Sequence, residues 1–507
     1  MNNSDGMRML LVFMTASALV VQAQPELPLL WEHRFPEPTF MTGYGDVAVG
    51  MAVRNDSLLV GHSWENISQS SLIHAATGDP VWSLSSGDTV YHQGGRSFFG
   101  NAMIGAERVA SGAGIGVRTR LYDLDGTVPW TVDAGLQNVA RMCGPLVNGA
   151  GDSAFVLAYQ NGTLHGFRYD HAGGTGSWQL PTGHPWREFS ANFNAAGHLL
   201  VTAMVDHPGA FTDVPRLVVL NSVDGSVEWS AYLEDTTGFV VNSPAMTVPW
   251  AGDTMLTVHT TYAGKVLMRM TEATTGQSVW SFEDSLSLSP YLASVAVVPS
   301  QGSILVALDR GSVIAYSRSN GRVWMDTLNL TSAYPNTRIL ANEDHVVLVS
   351  PADRHLDQGQ DVMIRALDPT TGTVLGEAWV NDIADTHDMP EDALLNGSML
   401  HLISAATHDT LNILFESTTL LVSTFDLSVT TGVHGHAEVP APVQGIISAG
   451  SIQDRLGTHV KHWKAFDRHG RLLATGDRGR MDAWYTTAAS GMYTLVAGKE
   501  RLVFLKP

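Results

Sequence analysis

The sequence predicts an all-β protein: a β-propeller of about eight four-stranded blades, followed by a small C-terminal β-sandwich. Three observations carry this. A short phrase, an apolar run, a Gly turn and then Trp, recurs with a period near 50 residues, the mark of stacked supersecondary units. The composition fits a turn-rich β protein: 49 of 507 residues are glycine, hydrophobics reach 44% and charged residues only 15%, which is enough apolar material for a large core and too little charge for a disordered chain. The last fifty residues also break the charge pattern of everything before them.

In chain order, the first element is an address. Residues 7–23 read MRMLLVFMTASALVVQA: basic Arg8, an apolar run from Met9 to Val21, and small residues Val21 and Ala23 where a signal peptidase cuts. Residues 1–23 are therefore expected to be a signal peptide cleaved after Ala23, with a buried N-terminal helix as the alternative. The run is short for a membrane span. No later apolar run reaches 18 residues, so no transmembrane segment is expected in the mature chain.

Residues 24–439 are expected to form the propeller. The phrase appears as ATGDPVW, DGTVPW, GGTGSW, VDGSVEW, TTGQSVW and NGRVW, ending at Trp82, Trp130, Trp178, Trp229, Trp280 and Trp324. Two degenerate copies follow, TTGTVLG and TTGVHGH. The turn glycines are Gly78, Gly126, Gly174, Gly225, Gly276, Gly321, Gly372 and Gly432, spaced by 48, 48, 51, 51, 45, 51 and 60 residues. About 50 residues make four short strands, one blade, and helical periodicity is absent. The turn asks for φ > 0, which glycine adopts without penalty. A Trp just beyond it is expected to pack between neighbouring sheets rather than hold a ligand.

A ring also needs closing. LLWEHRF (29–35) reads as a Trp-bearing strand without its partners, and Trp31 lies 51 residues before Trp82. It is expected to pair with the last blade. Eight blades are counted, with seven as the alternative. Blade 8 is the irregular one, lacking a Trp and stretched by Ala406–Thr419.

These repeats, notably ALDPTTGTVLG (Ala366–Gly376) and LNSVDGSVEW (Leu220–Trp229), resemble those of quinoprotein-type (PQQ-like) β-propellers, the quinoprotein alcohol dehydrogenase-like fold. The resemblance covers about residues 29–439. It implies the fold more than an activity, because one propeller hosts many functions.

Residues 440–507 are expected to form a separate β-sandwich. From 455 on, ten basic residues face four acids, so this tail is +6 while the rest of the −20 chain is −26. Pro440-Ala441-Pro442 marks the junction. The tail resembles the C-terminal sorting domain of type IX secretion substrates in Bacteroidota. The motif strand is Phe466-Asp467-Arg468-His469-Gly470-Arg471, the late strand is Ser490-Gly491-Met492-Tyr493-Thr494-Leu495, and the terminal strand runs Val503–Lys506. The family's Pro-Asn-Pro opening is reduced here. The resemblance singles out Asp467, Gly470, Gly491, Tyr493 and Lys506. It implies export, engagement of secretion machinery, and then tail removal or surface attachment.

Chemistry is sparse. The acidic balance argues against nucleic acid as a partner. Cys143 is the one cysteine, so no internal disulfide or Cys-rich zinc site forms. The adjacent-cysteine disulfide that the quinoprotein resemblance implies is absent, and no quinone cofactor or calcium ligand is carried over. His434 and His436 share a strand face but fall short of a zinc ligand set, and they are read as surface histidines. The acidic run DIADTHDMPED (Asp382–Asp392) lacks a calcium-loop pattern and is read as a solvated loop. Asp-Ser/Thr triplets at Asp56, Asp152, Asp284 and Asp326 resemble O-glycosylation sites but are read as turn chemistry. Expected catalytic, cofactor-binding and metal residues are therefore none. The expected function is a secreted or cell-surface, non-enzymatic, monomeric scaffold that binds a protein or glycan through its loops. The alternatives are an extracellular quinone- or metal-dependent oxidoreductase, and a surface adhesin or structural protein.

Overall fold

A computed structural model describes residues 26–35, 50–64, 67–111, 114–194, 196–206, 213–233, 245–286, 291–309, 311–327, 337–352, 361–380, 387–407, 418–428, 462–467, 472–477, 491–497 and 500–506. Eight four-stranded antiparallel blades form a ring. The innermost strand of each blade touches that of the next, all the way round and back to the first. Blades 1 and 2 share one long strand, Pro80–Phe99, which pairs with Ile67–His74 up to Thr89 and with Ala102–Ser111 from Val90. Blades 3 to 7 are consecutive four-stranded meanders.

Blade 8 takes three strands from His387–Asn396, Met399–Thr407 and Thr418–Asp426. Its fourth comes from the other end of the chain: Leu29–Arg34 pairs antiparallel with Thr418–Asp426, Trp31 opposite Thr424. This is the expected closure, and it fixes the count at eight. The repeat copy at Gly432 lies outside the described residues. The segment before the closing strand reaches further: Leu27 donates its backbone N–H to the Glu377 carbonyl of blade 7 at 3.0 Å and is buried in the blade 7–8 core. Phe35, at the far end, is buried between blades 8 and 1. Ten residues thus bind three blades without a covalent link.

The cores lie between blades. Each central strand is apolar almost throughout, as in Leu199–Val205 and Val346–Ala352, because both of its faces meet a neighbouring sheet. Outer strands alternate, with one face on the next blade and the other in solvent, as in Ser278–Ser285.

The repeat phrase explains how blades are keyed together. The indole N–H of Trp31 donates to the Ala75 carbonyl (2.9 Å), Trp82 to Leu124 (3.0 Å), Trp130 to His171 (3.1 Å) and Trp324 to Pro369 (3.0 Å), and Trp229 donates to Ala273. Every acceptor sits in the turn of the following blade. The ring of each Trp covers that turn's glycine: a Cβ on Gly78 would lie 2.6 Å from Trp31, on Gly126 3.0 Å from Trp82, on Gly225 2.2 Å from Trp178, on Gly276 3.0 Å from Trp229, and on Gly372 2.5 Å from Trp324. Glycine is required twice over, for φ near +70 to +90° and for ring clearance. Two positions depart. Trp280 stacks on Phe282 (6.1 Å), and Phe282 is what covers Gly321 at 3.0 Å. Gly174 has only ordinary contacts, and Trp130 stacks instead on Tyr169 at 5.7 Å.

The expectation of a solvated acidic loop over Asp382–Asp392 is corrected in its second half. His387–Asn396 is the innermost strand of blade 8, and Asp388 is buried. Asp392 accepts the Met51 N–H of blade 1 at 2.8 Å and the Ala393 N–H at 2.9 Å. A carboxylate so placed seals the seam between last and first blades from the channel side, while Trp31 seals it from outside. Glu391 is the extra residue of a bulge between Pro390 and Asp392. Burial pushes its carboxyl up to about 7, Arg338 opposing this and Asp392 adding to it. Residues 381–386 lie outside the described residues. The run misled because acid content reads as exposure unless a backbone donor is seen to hold it.

The C-terminal strands form one four-stranded sheet in the order Leu472–Asp477, His462–Asp467, Gly491–Ala497, Glu500–Lys506. Asp467 pairs with Tyr493, and Gly491 with Lys506. Trp463 and Ala465 are buried. A second sheet, which a sandwich needs, is not seen among the described residues, and Gly470 lies outside them.

Two outcomes follow. Gly225→Ala should cost ~2–4 kcal/mol, from left-handed strain plus collision with Trp178, whereas Gly252→Ala, at φ +58° with nothing within 4 Å, should cost only ~1–2 kcal/mol. Denaturant unfolding of the two variants checks the difference, and equal losses would remove ring clearance as the reason for glycine. For Glu391, the unfolded chain ionises near 4.5 and the folded chain near 7. Folded protein keeps a proton that unfolded protein has released, so stability falls as pH rises across that interval. Glu391→Gln should therefore gain on the order of 1–3 kcal/mol at pH 8 and almost nothing at pH 4, as read from melting curves at both values.

Candidate functional site

The two faces of the ring are built differently. On one, here the turn face, first strands join second strands and third join fourth. These joins run from two to seven residues: 55–56, 100–101, 252–253 and 397–398 are the shortest of one set, 171–172 and 318–320 of the other, and 123–129 is the longest. On the opposite face, the loop face, each inner strand begins. Its joins vary more widely: 65–66, 112–113 and 161–162 are two residues each, while 35–49, 206–213, 233–245, 327–337, 353–360 and 408–417 are eight or longer. Length variation of this kind is tolerated where the chain need not make a fixed turn.

Carboxylates are used differently on the two faces. On the turn face they cap backbone. Asp56 accepts from Ala76 N–H (2.8 Å), Asp253 from Thr274 (2.9 Å), and Asp368 from Thr370 and Thr371 (both 2.8 Å). Hydrogen bonds from Thr127 hold Asp125 below the usual carboxylate range, and bonds from Ser226 do the same for Asp224. The Asp-Ser/Thr triplets fall into the same economy. Asp56 caps a turn, and Asp152 is bonded by Asn148 at 2.7 Å. Asp284 accepts the Tyr316 hydroxyl of blade 6 at 3.0 Å, and Asp326 pairs with Arg365 of blade 7 at 3.2 Å. Both of the latter are ties between blades.

On the loop face, acidic and aromatic groups surround the channel mouth at blades 4 to 6. Arg187, at a bulge in the inner strand Trp186–Phe193, pairs with Asp213 (3.1 Å) and Asp206 (3.8 Å), and its carbonyl accepts Arg141 at 3.0 Å. Exposed Glu188 follows it. Tyr262 stands on the tight turn of blade 5 and is 58% exposed. Tyr291 precedes the inner strand of blade 6, where its carbonyl accepts the Asp309 N–H at 3.0 Å. Its phenol lies above the usual range, chiefly through burial, then through the charges of Glu188 and Asp309 and the neighbouring Tyr262. Sequence reasoning missed this group, because its members come from three blades and share no motif.

The residues singled out from sequence do not gather there. The tryptophans and turn glycines are spread around the rim at blade seams, far apart in sequence and each with its own neighbour. Ala23, His434 and His436 lie outside the described residues. Cys143 packs against the core between blades 3 and 4, and burial pushes its thiol up to about 11. A quinone held against an adjacent-cysteine pair does not fit this chain, whose single thiol is already spent in packing. Among the described residues, no three His, Cys, Asp or Glu side chains converge as a metal cage.

Other buried polar groups are structural. Arg96, fully buried on the inner strand of blade 2, pairs with Glu107 at 2.9 Å and donates to Ser70 of blade 1 at 3.1 Å. Arg120 reaches the other Glu107 oxygen at 3.5 Å. His62, beside Phe35, is pushed down to about 3 by burial and by Arg96. It is held neutral and does no acid–base work near neutral pH.

Residues 160–350 match the PQQ_2 family, described as outer membrane protein assembly factor BamB. No curated protein matches the chain. Among solved structures, the quinohemoprotein alcohol dehydrogenase from Comamonas testosteroni is similar at 12% identity and TM-score 0.52, over 79% of this chain and 76% of that one. The Dos1 propeller is similar at 9% identity and TM-score 0.50, over 79% of this chain and 95% of that one. At such identities the likeness concerns the fold. Within this eight-bladed propeller, residues 160–350 are therefore similar to repeats of the PQQ-like, BamB type.

Proposed function

We propose that this chain is an exported, non-enzymatic binding scaffold that holds a partner on its loop face. The observation that carries the reading is the asymmetry of the ring: on the turn face the joins stay at seven residues or fewer and Asp56, Asp253 and Asp368 cap backbone, while the longest joins, the exposed Tyr262 and the exposed Glu188 lie at the other mouth. A ring of eight rigidly keyed blades is a suitable base for such a surface, since binding groups on loops need a scaffold that does not move. The PQQ_2 family match, itself described as an assembly factor, supports a scaffold more than a catalyst. Residues 1–23 act as the export signal, cut after Ala23. Residues 440–507 act as the sorting label, with Asp467, Gly470, Gly491, Tyr493 and Lys506 as its motif residues. The mature protein is secreted or held at the cell surface as a monomer.

Two experiments test this. Titration of the full chain with pyrroloquinoline quinone and Ca²⁺ should give neither saturable binding nor dye reduction. Saturable binding with dye reduction would establish an oxidoreductase instead. Fractionation of cells making residues 1–439 should show the truncated chain retained, while the full chain reaches the surface or medium. Equal delivery of both would refute the sorting role of the tail.

A further inference from the structure

We propose that the closing strand is an acid-released latch: when the imidazoles packed against it take up protons, residues 26–35 leave the seam between blades 8 and 1 while the blades themselves stay folded. Such a device goes beyond the scaffold reading and does not depend on it.

The closing strand is the one strand of blade 8 that is not continuous with the others. As the outermost strand it has a single ladder neighbour, Thr418–Asp426. It can therefore leave without drawing another strand of the blade with it. A bulge at Leu30 turns its apolar face: Leu29 packs on the core of blades 7 and 8, whereas Trp31 packs on the core of blades 8 and 1.

Three imidazoles lie along this second face. His33, on the strand itself, stands edge-on to Phe35 with ring centroids 4.9 Å apart. Phe35 in turn lies 4.5 Å from His62, on the central strand of blade 1. Trp31 lies 6.4 Å from His401, on the second strand of blade 8. His62 and His401 are fully buried. His401 shares a hydrogen bond with the Thr424 hydroxyl at 2.7 Å, and its Nε2 has no partner among the described residues. An imidazolium must donate from both nitrogens, and the lining here is Phe35, Leu58, Val60, Ile403 and Val422. Burial accordingly holds His33 below its usual range, His401 at about 4, and His62, with help from Arg96, at about 3. Once hydrated, each would titrate near 6.5. The released state therefore binds protons that the closed state refuses, and closure weakens as pH falls below 6.5, by up to about tenfold per pH unit for each imidazole.

The charged groups around the seam do not supply a counter-ion. From blade 2, Arg96 opposes a proton on His62 and is itself paired with Glu107 at 2.9 Å. In the blade 1 turn beneath Trp31, Asp56 and His74 face each other at 3.3 Å and are exposed. On the closing strand, Glu32 points the other way, 3.5 Å from the Ser423 hydroxyl, and Arg34 is exposed. The acids of blade 8, Asp388, Glu391 and Asp392, sit on its inner strand, and Asp392 already accepts the Met51 N–H. Glu391 has the reverse pH dependence, but its neighbours Arg338 and Asp392 belong to inner strands that the release of an outer strand leaves in place. Glu37, Asp46 and Glu65, on the adjoining joins, lie outside the described residues, so the variants below act on the imidazoles themselves.

Hydrogen–deuterium exchange of the full chain, corrected for the intrinsic pH dependence of amide exchange, tests this from pH 6.5 to 4.5. Protection over Leu29–Arg34 should fall by about thirtyfold for each of His62 and His401 that release hydrates. The outer strand of blade 5, Ser278–Ser285, is the reference: its Phe282 packs on Tyr316 of blade 6, and blade 6 has no histidine among its described residues. Its protection should change by less than about threefold. His62→Leu should remove about thirtyfold of the fall over Leu29–Arg34, and His62→Leu/His401→Leu should bring the closing strand level with the reference. A parent in which the two strands stay within about threefold of each other overturns the latch, whether both hold or both open together. A double variant that opens as the parent does overturns it as well. Should the leucine variants not fold at pH 6.5, the two strands of the parent decide by themselves.

Discussion

The contact on which the ring depends is the indole laid over the next blade's turn. It combines three requirements at one point: a glycine with φ > 0, a carbonyl pointing outward, and a ring large enough to bridge the seam. Burying about 150–250 Å² of aromatic surface contributes at most ~4–6 kcal/mol per site, and the hydrogen bond adds direction. Because the indole of one blade keys the turn of the next, each contact also sets the rotation between them. Where the ring is displaced, as at Trp280, Phe282 covers Gly321 in its place, so the glycine's clearance is filled even when the residue that fills it changes.

Closure uses the same device across the ends of the chain. Trp31 bonds to Ala75 and covers Gly78 as Trp82, Trp229 and Trp324 do for their neighbours, so the seam between blades 8 and 1 is built like an internal one. What differs is connectivity. A first strand arriving from outside the blade has to be held by more than its ladder, and Leu27 and Phe35 extend the grip to blades 7 and 1. On the channel side, Asp392 bonds to the Met51 amide. Buried groups at and near this seam pull in opposite directions with pH. Neutral His62 and His401, pushed down to about 3 and about 4 by burial, cost stability as pH falls below 6.5, while Glu391 costs stability as pH rises above 4.5. Joining the ends of the chain is therefore most favourable between acid and neutral pH, a constraint that follows from desolvation.

The fold was legible because its cause is local and repeated. Gly225 and Trp229 announce a turn and a seam ring within five residues, and seven near-copies remove the ambiguity of any one. Trp31 announced closure for the same reason, since it kept register with Trp82. The acidic run ending at Asp392 misled because its environment is set by Met51, more than three hundred residues away in sequence, and no local pattern encodes that partner. The mouth of the channel was illegible for a related reason. Glu188, Tyr262 and Asp309 are unremarkable singly, and only the ring brings blades 4, 5 and 6 together.

This separation of signals has a physical basis. Residues that build the ring must recur, since every blade solves the same packing problem. Residues that bind a partner must not, since eight equivalent mouths would offer no preferred orientation. A search for repeats therefore finds scaffold and passes over function. Among the described residues, exposed Glu188 and Tyr262 stand at the loop-face mouth outside the repeat, whereas Asp56, Asp253 and Asp368 of the turn face hold backbone N–H groups. A capped carboxylate such as Asp253 has its lone pairs committed, and removing it to bind a ligand would expose backbone donors. Glu188 accepts no such backbone bond among the described residues, and on the proposed scaffold reading this difference between two acids, invisible in a count of charges, is what leaves one face of the ring open to a partner.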